Sequence, residues 1–459
     1  MSDGEVPPSS AGVLVERGEP AAFTHEGRCR PSPDVLVGVL VFLVYTRITG
    51  AVSERYGLPN PQQPLVAAAF LWVWWRTHGS TTAAAAVRTF VLAIGVFVLA
   101  TLPGLFRPDP SSSVAMLTIL GRDTLFVAAL VYIVVARRSV RAAAWGMIAA
   151  LGLLSITTLA HSAGVDVGDG FWGLAHSSVQ LIGEVEEGDR ATGPYDDPNF
   201  FAQALVILFA LAVERARRAP SLRGRVLAGS VALVGLAAIA ATYSRGGLFA
   251  VALLVGYQLW RDPPSLRRFV VLVGPAVLAV MMLAPGSVLD RVSSVESALP
   301  GRAVDSTDVS IRGRASEAIA AFEMFEANPT TGVGFGSYDE RYVEFSSKLG
   351  LDPRREDRAA HNLYLEIAAE TGLLGLCAAA VSALVIWRAS RARVIGMRGT
   401  PEHRSLAIGF RAAVLGFAVT AIFLHDIHPR PWMLALGLAV AAGQLPRGRR
   451  MASEPGTLP

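Results

Sequence analysis

The chain has 459 residues, of which 52% are hydrophobic and only 17% charged, and its mean hydropathy is +0.44. An ordinary soluble domain carries about 25% charged residues, so this composition excludes a typical soluble enzyme and a disordered chain. The formal net charge of +4 is too small an excess for a nucleic-acid binder.

Residues 1–33 are polar and proline-rich, show no cleavable signal, and read as a disordered cytoplasmic tail. A spanning helix needs about 20 mostly apolar residues. Candidate runs follow near 34–50, 60–75, 87–106, 118–136, 142–160, 199–214, 226–243, 246–260, 268–285, 362–387, 405–424 and 431–446. Trp72, Trp74 and Trp75 in the second run suit a membrane-interface belt. The fourth run carries the charged pair Arg122 and Asp123. The expected fold is therefore an all-α integral membrane protein of about 12 transmembrane helices. Cys29 lies in the tail and Cys377 in an apolar run, so a disulfide between them is not expected.

Basic residues crowd the short connections 76–88, 137–141, 214–225, 261–268, 388–404 and 447–450. The opposite short connections hold only Arg55, Arg107, Arg245 and Arg430. The positive-inside rule then places both termini in the cytoplasm. The resulting division is helices one to nine over 34–285, an extracytoplasmic loop over 286–361, three helices over 362–446, and a cytoplasmic tail over 447–459. The long loop exceeds ordinary connection lengths, which points to function or disorder. Within it, Ile319, Phe322 and Phe325 recur at helical spacing, and Pro329 ends that stretch. A short helix on the membrane or capping the bundle is expected there, against the blander reading of a small subdomain without chemistry.

Five motifs bear on chemistry. The turn Ser244-Arg245-Gly246-Gly247 puts a cation at an outer helix junction, either as a solvated anchor or as a holder of an anionic ligand. Arg312 and Arg314 precede the loop helix, and arginine is suited to bidentate phosphate contact. Gly332, Gly334 and Gly336 resemble a phosphate loop only superficially; without a βαβ unit they read as a tight turn. His361 and Asn362 sit at the outer mouth of a spanning run, with Glu366 and Glu370 on one face of the helix that follows. At Asp196-Asp197-Pro198-Asn199, a helix N-cap explains one acid cheaply. His425 and His428 lack further ligands nearby, so no metal site is expected.

Together and in this order, these pieces resemble the O-antigen ligase and O-antigen polymerase superfamily over roughly residues 195–380. The family pattern of His-Asn, nine residues, Gly, two residues, Gly reads here as His361-Asn362 followed by Gly372 and Gly375. The Ser-Arg-Gly turn at 244–246, the stretch from Arg314 to Pro329 followed by Gly332 and Gly334, and Asp197-Pro198-Asn199 resemble further family features. Ala318 stands where the family often has tryptophan, so Arg312 and Arg314 both compete as the loop arginine, with spacing favouring Arg314.

The resemblance implies a GT-C-like glycosyltransferase of the bacterial cytoplasmic membrane. It would take a glycan from a polyprenyl diphosphate (undecaprenyl type) carrier and join it to a glycan, lipid or protein acceptor in cell-envelope polysaccharide biosynthesis, without cofactor or metal. Arg245 and Arg314 would hold the diphosphate and stabilise its growing charge, and His361 would act as general base. Arg312, Asn362, Glu366, Asp197 and Asn199 are the expected substrate-binding positions. Polymerase and ligase differ only in acceptor, and the sequence leaves both open. The competing readings are a multi-pass secondary transporter, whose site would lie near the bilayer midplane, and a non-catalytic scaffold.

Overall fold

The computed structural model describes residues 33–182, 185–195, 197–261, 309–348, 358–391, 401–425 and 429–444. The expected tails at 1–33 (except Pro33, which opens the first helix) and 447–459, the apolar run at 268–285 and the first part of the long loop lie outside these residues. The described chain is largely helical. In order, its helices are α1 Pro33–Thr46, α2 Ile48–Tyr56, α3 Gln62–Thr77, α4 Thr81–Thr101, α5 Ser111–Ala136, α6 Val140–Ser162 and the short α7 Gly168–Gly173. They continue with α8 Pro198–Arg218, α9 Leu222–Ala241, α10 Arg245–Arg261, α11 Val309–Ala327, α12 Tyr338–Lys348, α13 Leu363–Arg391, α14 Pro401–Thr420 and α15 Pro429–Gly443. Apart from the run at 268–285, every expected apolar run coincides with one of these helices. Among the described residues, six helices are long and apolar enough to cross a membrane. The pair α1 and α2, bent by 63°, makes a seventh if counted as one span.

One element departs from an all-α chain. Strands β1 Ser177–Ile182 and β2 Val185–Ala191 form an antiparallel hairpin. The hydropathy pattern that marks spans carries no signal for so short a polar hairpin.

The bundle is built around α8, which is buried along most of its length against α14, α9 and α6. Helix α1 crosses α6 where Gly38 meets Gly146; a Cβ on Gly146 would overlap the Gly38 carbonyl. Small residues are what let membrane helices approach this closely. At the end where α8 finishes and α14 starts, buried Arg215 meets Glu402 at 3.2 Å, and Arg141 joins the same carboxylate at 3.4 Å. The opposite end carries a cap made of α11, α12 and the loop between them. The cap has its own small core, including Ala320, Ala321, Met324, Tyr338 and Tyr342, closed onto Ala369 of α13.

The expected loop helix exists as α11. Ser316, Glu317, Ala320, Ala321 and Met324 are buried, whereas Phe322 is 52% exposed. Small side chains allow α11 to lie close to α13, so the bulky aromatic residue is turned outward.

The cap is held by an interlock. Helix α13 is interrupted at Gly372, whose φ of 62° and ψ of −158° are accessible essentially to glycine alone. A break leaves backbone groups without helical partners, a severe cost at membrane depth. The loop after α11 supplies them. The N–H groups of Val333 and Gly334 donate to the carbonyls of Ala369 and Glu370 at 2.8 and 2.9 Å. The N–H groups of Leu373 and Leu374 donate to the carbonyls of Pro329 and Thr330 at 2.8 and 3.2 Å. Gly332 (φ 65°) and Gly372 lie at the closest approach, where a Cβ on either would overlap the backbone of the other segment. Arg107, from the α4–α5 connection, donates to Thr331 Oγ1 at 3.4 Å and to the Gly332 carbonyl.

Gly332→Ala and Gly372→Ala are therefore expected to cost about 2–4 kcal/mol each, through backbone overlap and positive φ together. Gly57→Ala has the same positive φ (62°) in open space and serves as the control. It should cost no more than about 1 kcal/mol. Thermal unfolding of the detergent-solubilised variants checks the ranking; equal losses at all three positions would contradict the interlock.

Candidate functional site

At the cap end, the segment 361–363 and the starts of α8 and α10 converge on the stretch 421–425. Leu363, the first residue of α13, donates its N–H to the carbonyls of Ala421 (3.0 Å) and Leu424 (2.8 Å). This fixes the preceding Asn362 and His361 against the stretch. Asn362 is the N-cap of α13: its Oδ1 accepts from the N–H groups of Tyr364 (3.0 Å) and Leu365 (3.1 Å). His361 takes a left-handed φ of 45° to enter that cap.

The His361 ring meets the His425 ring edge-on, with centroids 5.0 Å apart, and His425 in turn meets Phe200 at 5.1 Å. His361 keeps partial exposure, yet its Nδ1 is buried and has no hydrogen-bond partner among the described residues. Such a group in a packed site asks for a function. Desolvation, reinforced by the charges of Arg314 and Arg358, pulls its pKa down to about 4. The imidazole is thus neutral at physiological pH.

Arg314 stands on the first turns of α11, which the interlock holds over the mouth of α13. Arg312 lies on the same helix. Arg358 reaches Glu317 at 2.7 Å, and Glu317 is almost fully buried. The Glu317 carbonyl accepts from the Tyr338 hydroxyl at 2.7 Å, and burial pushes that phenol well above its ordinary pKa. The cap therefore delivers guanidinium groups to His361 and anchors one of them on a buried carboxylate.

Glu366 and Glu370 share a face of α13 as expected. Glu370 is buried and accepts from the Tyr338 N–H at 3.0 Å. The start of α12 thus solvates this carboxylate, as helix N-termini do for anions. Glu366 is half-buried, close enough to raise the Tyr338 pKa electrostatically.

On the other side of 421–425, Arg245 opens α10. Ser244 Oγ caps that helix by accepting from the Gly247 N–H at 3.3 Å. The Phe423 ring lies so close to Gly246 that a Cβ there would sit 2.8 Å from it. Arg245 is therefore on an adjoining wall of the same end of the bundle. Asp197 caps α8, its Oδ1 accepting from the N–H groups of Asn199 (2.7 Å) and Phe200 (3.1 Å). Asn199 Oδ1 accepts from Arg190 at 3.3 Å, and Arg190 Nε donates to the Thr242 carbonyl at 3.1 Å.

So the fold brings together His361, Asn362, Arg314 and Glu366 on one wall, and Arg245, Asn199 and Asp197 on the next. Three residues of this neighbourhood escaped the sequence reading. Arg358 and Glu317 flank motifs that were recognised, but nothing in their spacing announces that they pair. Arg190 lies in the hairpin, which had not been anticipated. His425 was set aside as half of an unlikely metal pair, and its position against His361 arises only from tertiary packing. Among the described residues, no group of three or more His, Cys, Asp or Glu is placed to hold a metal ion.

The fold and this site define a polytopic membrane protein with an arginine-bearing cap over a partly buried histidine. Residues 228–380, a third of the chain, match the family described as O-antigen ligase. The match runs from within α9 into α13 and includes Arg245, Arg312, Arg314, His361, Asn362 and Glu366. It does not reach Asp197 or Asn199. No curated protein matches the chain.

The cap geometry of Asn362 makes a separable prediction. Asn362→Asp should retain stability, since aspartate caps equally well. Asn362→Ala should lose about 1 kcal/mol. Thermal unfolding of both variants checks this; an unchanged midpoint in the alanine variant would contradict the cap.

Proposed function

We propose that this protein is a GT-C-like glycosyltransferase of the bacterial cytoplasmic membrane, with about 12 spans and both termini cytoplasmic. In this reading, residues 34–285 and 362–446 are the spanning parts, and 286–361 forms the extracytoplasmic cap. It moves a glycan from a polyprenyl-diphosphate carrier to an acceptor hydroxyl on the extracytoplasmic face. The observation that carries this reading is the His361 imidazole: neutral, its Nδ1 buried without a partner among the described residues, and flanked by arginines inside the family-matched segment.

The chemistry follows from that placement. The acceptor oxygen attacks the anomeric carbon, a new C–O bond forms, and the bond from that carbon to the diphosphate oxygen breaks. The leaving diphosphate keeps the electron pair. The acceptor proton passes to a ring nitrogen of His361 as general base. Arg314 and Arg245 stabilise the charge gathering on the diphosphate, with Arg312 in reserve on the same helix; in a site of low polarity such stabilisation is the largest expected contribution. A bound diphosphate also offsets the cationic field on His361 and raises its proton affinity when a base is needed. Glu366, Asp197 and Asn199 hold sugar hydroxyls, and the polyprenyl chain stays in the bilayer, where its methylenes are already favoured.

His361→Ala and Arg314→Gln should each lower transfer by about 10²–10³-fold at normal protein level. The check is a glycan length profile, by gel and mass spectrometry, from a deletion strain complemented with each variant. Single repeat units on the acceptor would identify a polymerase, and long chains trapped on the carrier a ligase. Full rescue by both variants, or an unchanged profile in the deletion strain itself, would overturn the reading.

A further inference from the structure

A second polar region lies beside the proposed catalytic wall and is not used by it. The first spanning run is broken at Arg47, which takes a left-handed φ of 52° between α1 and α2. Irregular backbone in a membrane protein persists where it is buried in protein or lines a water-filled cavity. Two cavities, of about 270 and 340 Å³, meet at this break and share Arg47, Gly50 and Glu54.

The first cavity runs inward to Asp123, which is only 3% exposed. Asp123 holds Arg430 at 2.7 Å and Arg122 at 3.1 Å, and Arg430 also reaches Gln62 at 3.4 Å. Local pairing of Arg122 with Asp123 is thus only part of a wider network. Ionisable residues in membrane helices are costly and mark functional positions. The second cavity runs outward to Trp172, 52% exposed, and to His176. Asp169, Phe171 and Trp172 all carry positive φ, and runs of left-handed non-glycine residues are strained. Strain of this kind is kept where it serves a site.

The two cavities share their lining at the break and so form one groove, linked to the catalytic wall by a chain of contacts: Arg47 lies over the Tyr195 ring at 5.2 Å, and Tyr195 stacks on Phe201 with ring centroids 6.0 Å apart. Pro194 lines the outer cavity, and Phe200, six residues on, packs on His425, the neighbour of His361. Arg430 lines the inner cavity and follows His425 by five residues.

The chemistry of the lining selects the ligand. Its four arginines face three carboxylates: Arg122 and Arg430 both meet Asp123, Arg55 meets Asp169 at 3.4 Å, Arg47 donates to the Pro194 carbonyl at 2.9 Å, and Glu54 lies alongside. The groove therefore presents donors and acceptors without a strong excess of charge, plus one half-exposed indole. That is a surface for hydroxyl-rich rings, whose polar edges take hydrogen bonds and whose apolar faces cover an aromatic ring.

We infer that this groove binds sugar residues of the glycan next to the reacting bond, extending the catalytic wall by one or two subsites. The assignment rests on the function proposed above. Trp172 and Glu54 are its contact residues, and both are exposed enough to be replaced without disturbing the core.

The test uses the full chain in nanodiscs and an oligosaccharide prepared by partial hydrolysis of the host's own surface polysaccharide, with binding read by saturation-transfer NMR. Trp172→Ala and Glu54→Gln should weaken binding about tenfold each. His361→Ala should bind as the natural protein does, and added pyrophosphate should not displace the sugar. In the transfer assay, a raised KM for the lipid-linked donor or for the acceptor assigns the groove to that substrate. Natural-strength binding by both groove variants, or displacement by pyrophosphate, would overturn the inference while leaving the His361 chemistry intact. Full transfer by His361→Ala would instead remove the proposed chemistry while leaving the binding result standing.

Discussion

The cap stays where it is because a helix and a loop complete each other's backbone hydrogen bonds. Helix α13 is broken at Gly372, and a broken helix inside a membrane protein is tolerated only if something satisfies the freed groups. The segment 329–334 does so, with four backbone bonds across the gap. The contact requires two backbones to approach with no Cβ between them, which explains glycine at 332 and 372 without invoking any ligand. Once this junction forms, the position of α11 over the mouth of α13 is fixed, and with it the distance from Arg314 to His361.

The electrostatics of the site follow from that constraint. Guanidinium groups brought against a desolvated imidazole hold it neutral, so it is ready to accept a proton but does so only weakly until an anion arrives. Glu317, buried and paired to Arg358, anchors one of these cations within the cap. Glu370 is buried instead against the start of α12, where it accepts from the Tyr338 N–H, so it supports the junction rather than the chemistry. The same end of the bundle gathers Arg245 and the α8 cap around 421–425. The matched ion pairs of Arg215 and Glu402 stand at the far end of α8.

Much of this was legible in the sequence, and the rest was hidden for identifiable reasons. Apolar runs of helical length mark where helices lie, because hydrophobic length is a local property. An N-cap at Asp196-Asp197-Pro198-Asn199 is legible for the same reason, because capping acts over three residues, and the structure gives that role to Asp197. The break at Arg47 was invisible, since the run around it remains apolar enough to pass as one span. The spacing of Ile319, Phe322 and Phe325 marks α11 as a helix, but the face it turns to α13, with Ala320, Ala321 and Ser316, is set by close approach and leaves no hydrophobic signal. Contacts such as His361 with His425, or Arg358 with Glu317, join residues through tertiary packing, and one sequence carries no trace of them.

The account stands most directly on the protonation of His361. Site-specific ¹⁵N-histidine NMR of the full chain in nanodiscs, titrated without donor, measures it. The imidazole should stay neutral through pH 6 and take up its proton only near pH 4, because burial and the neighbouring cations oppose the charged form. Arg314→Gln should move that titration upward, toward the ordinary histidine value of about 6.5. An ordinary midpoint in the natural protein, unmoved by Arg314→Gln, would show that the cap does not bring its arginine to His361 and would contradict the account.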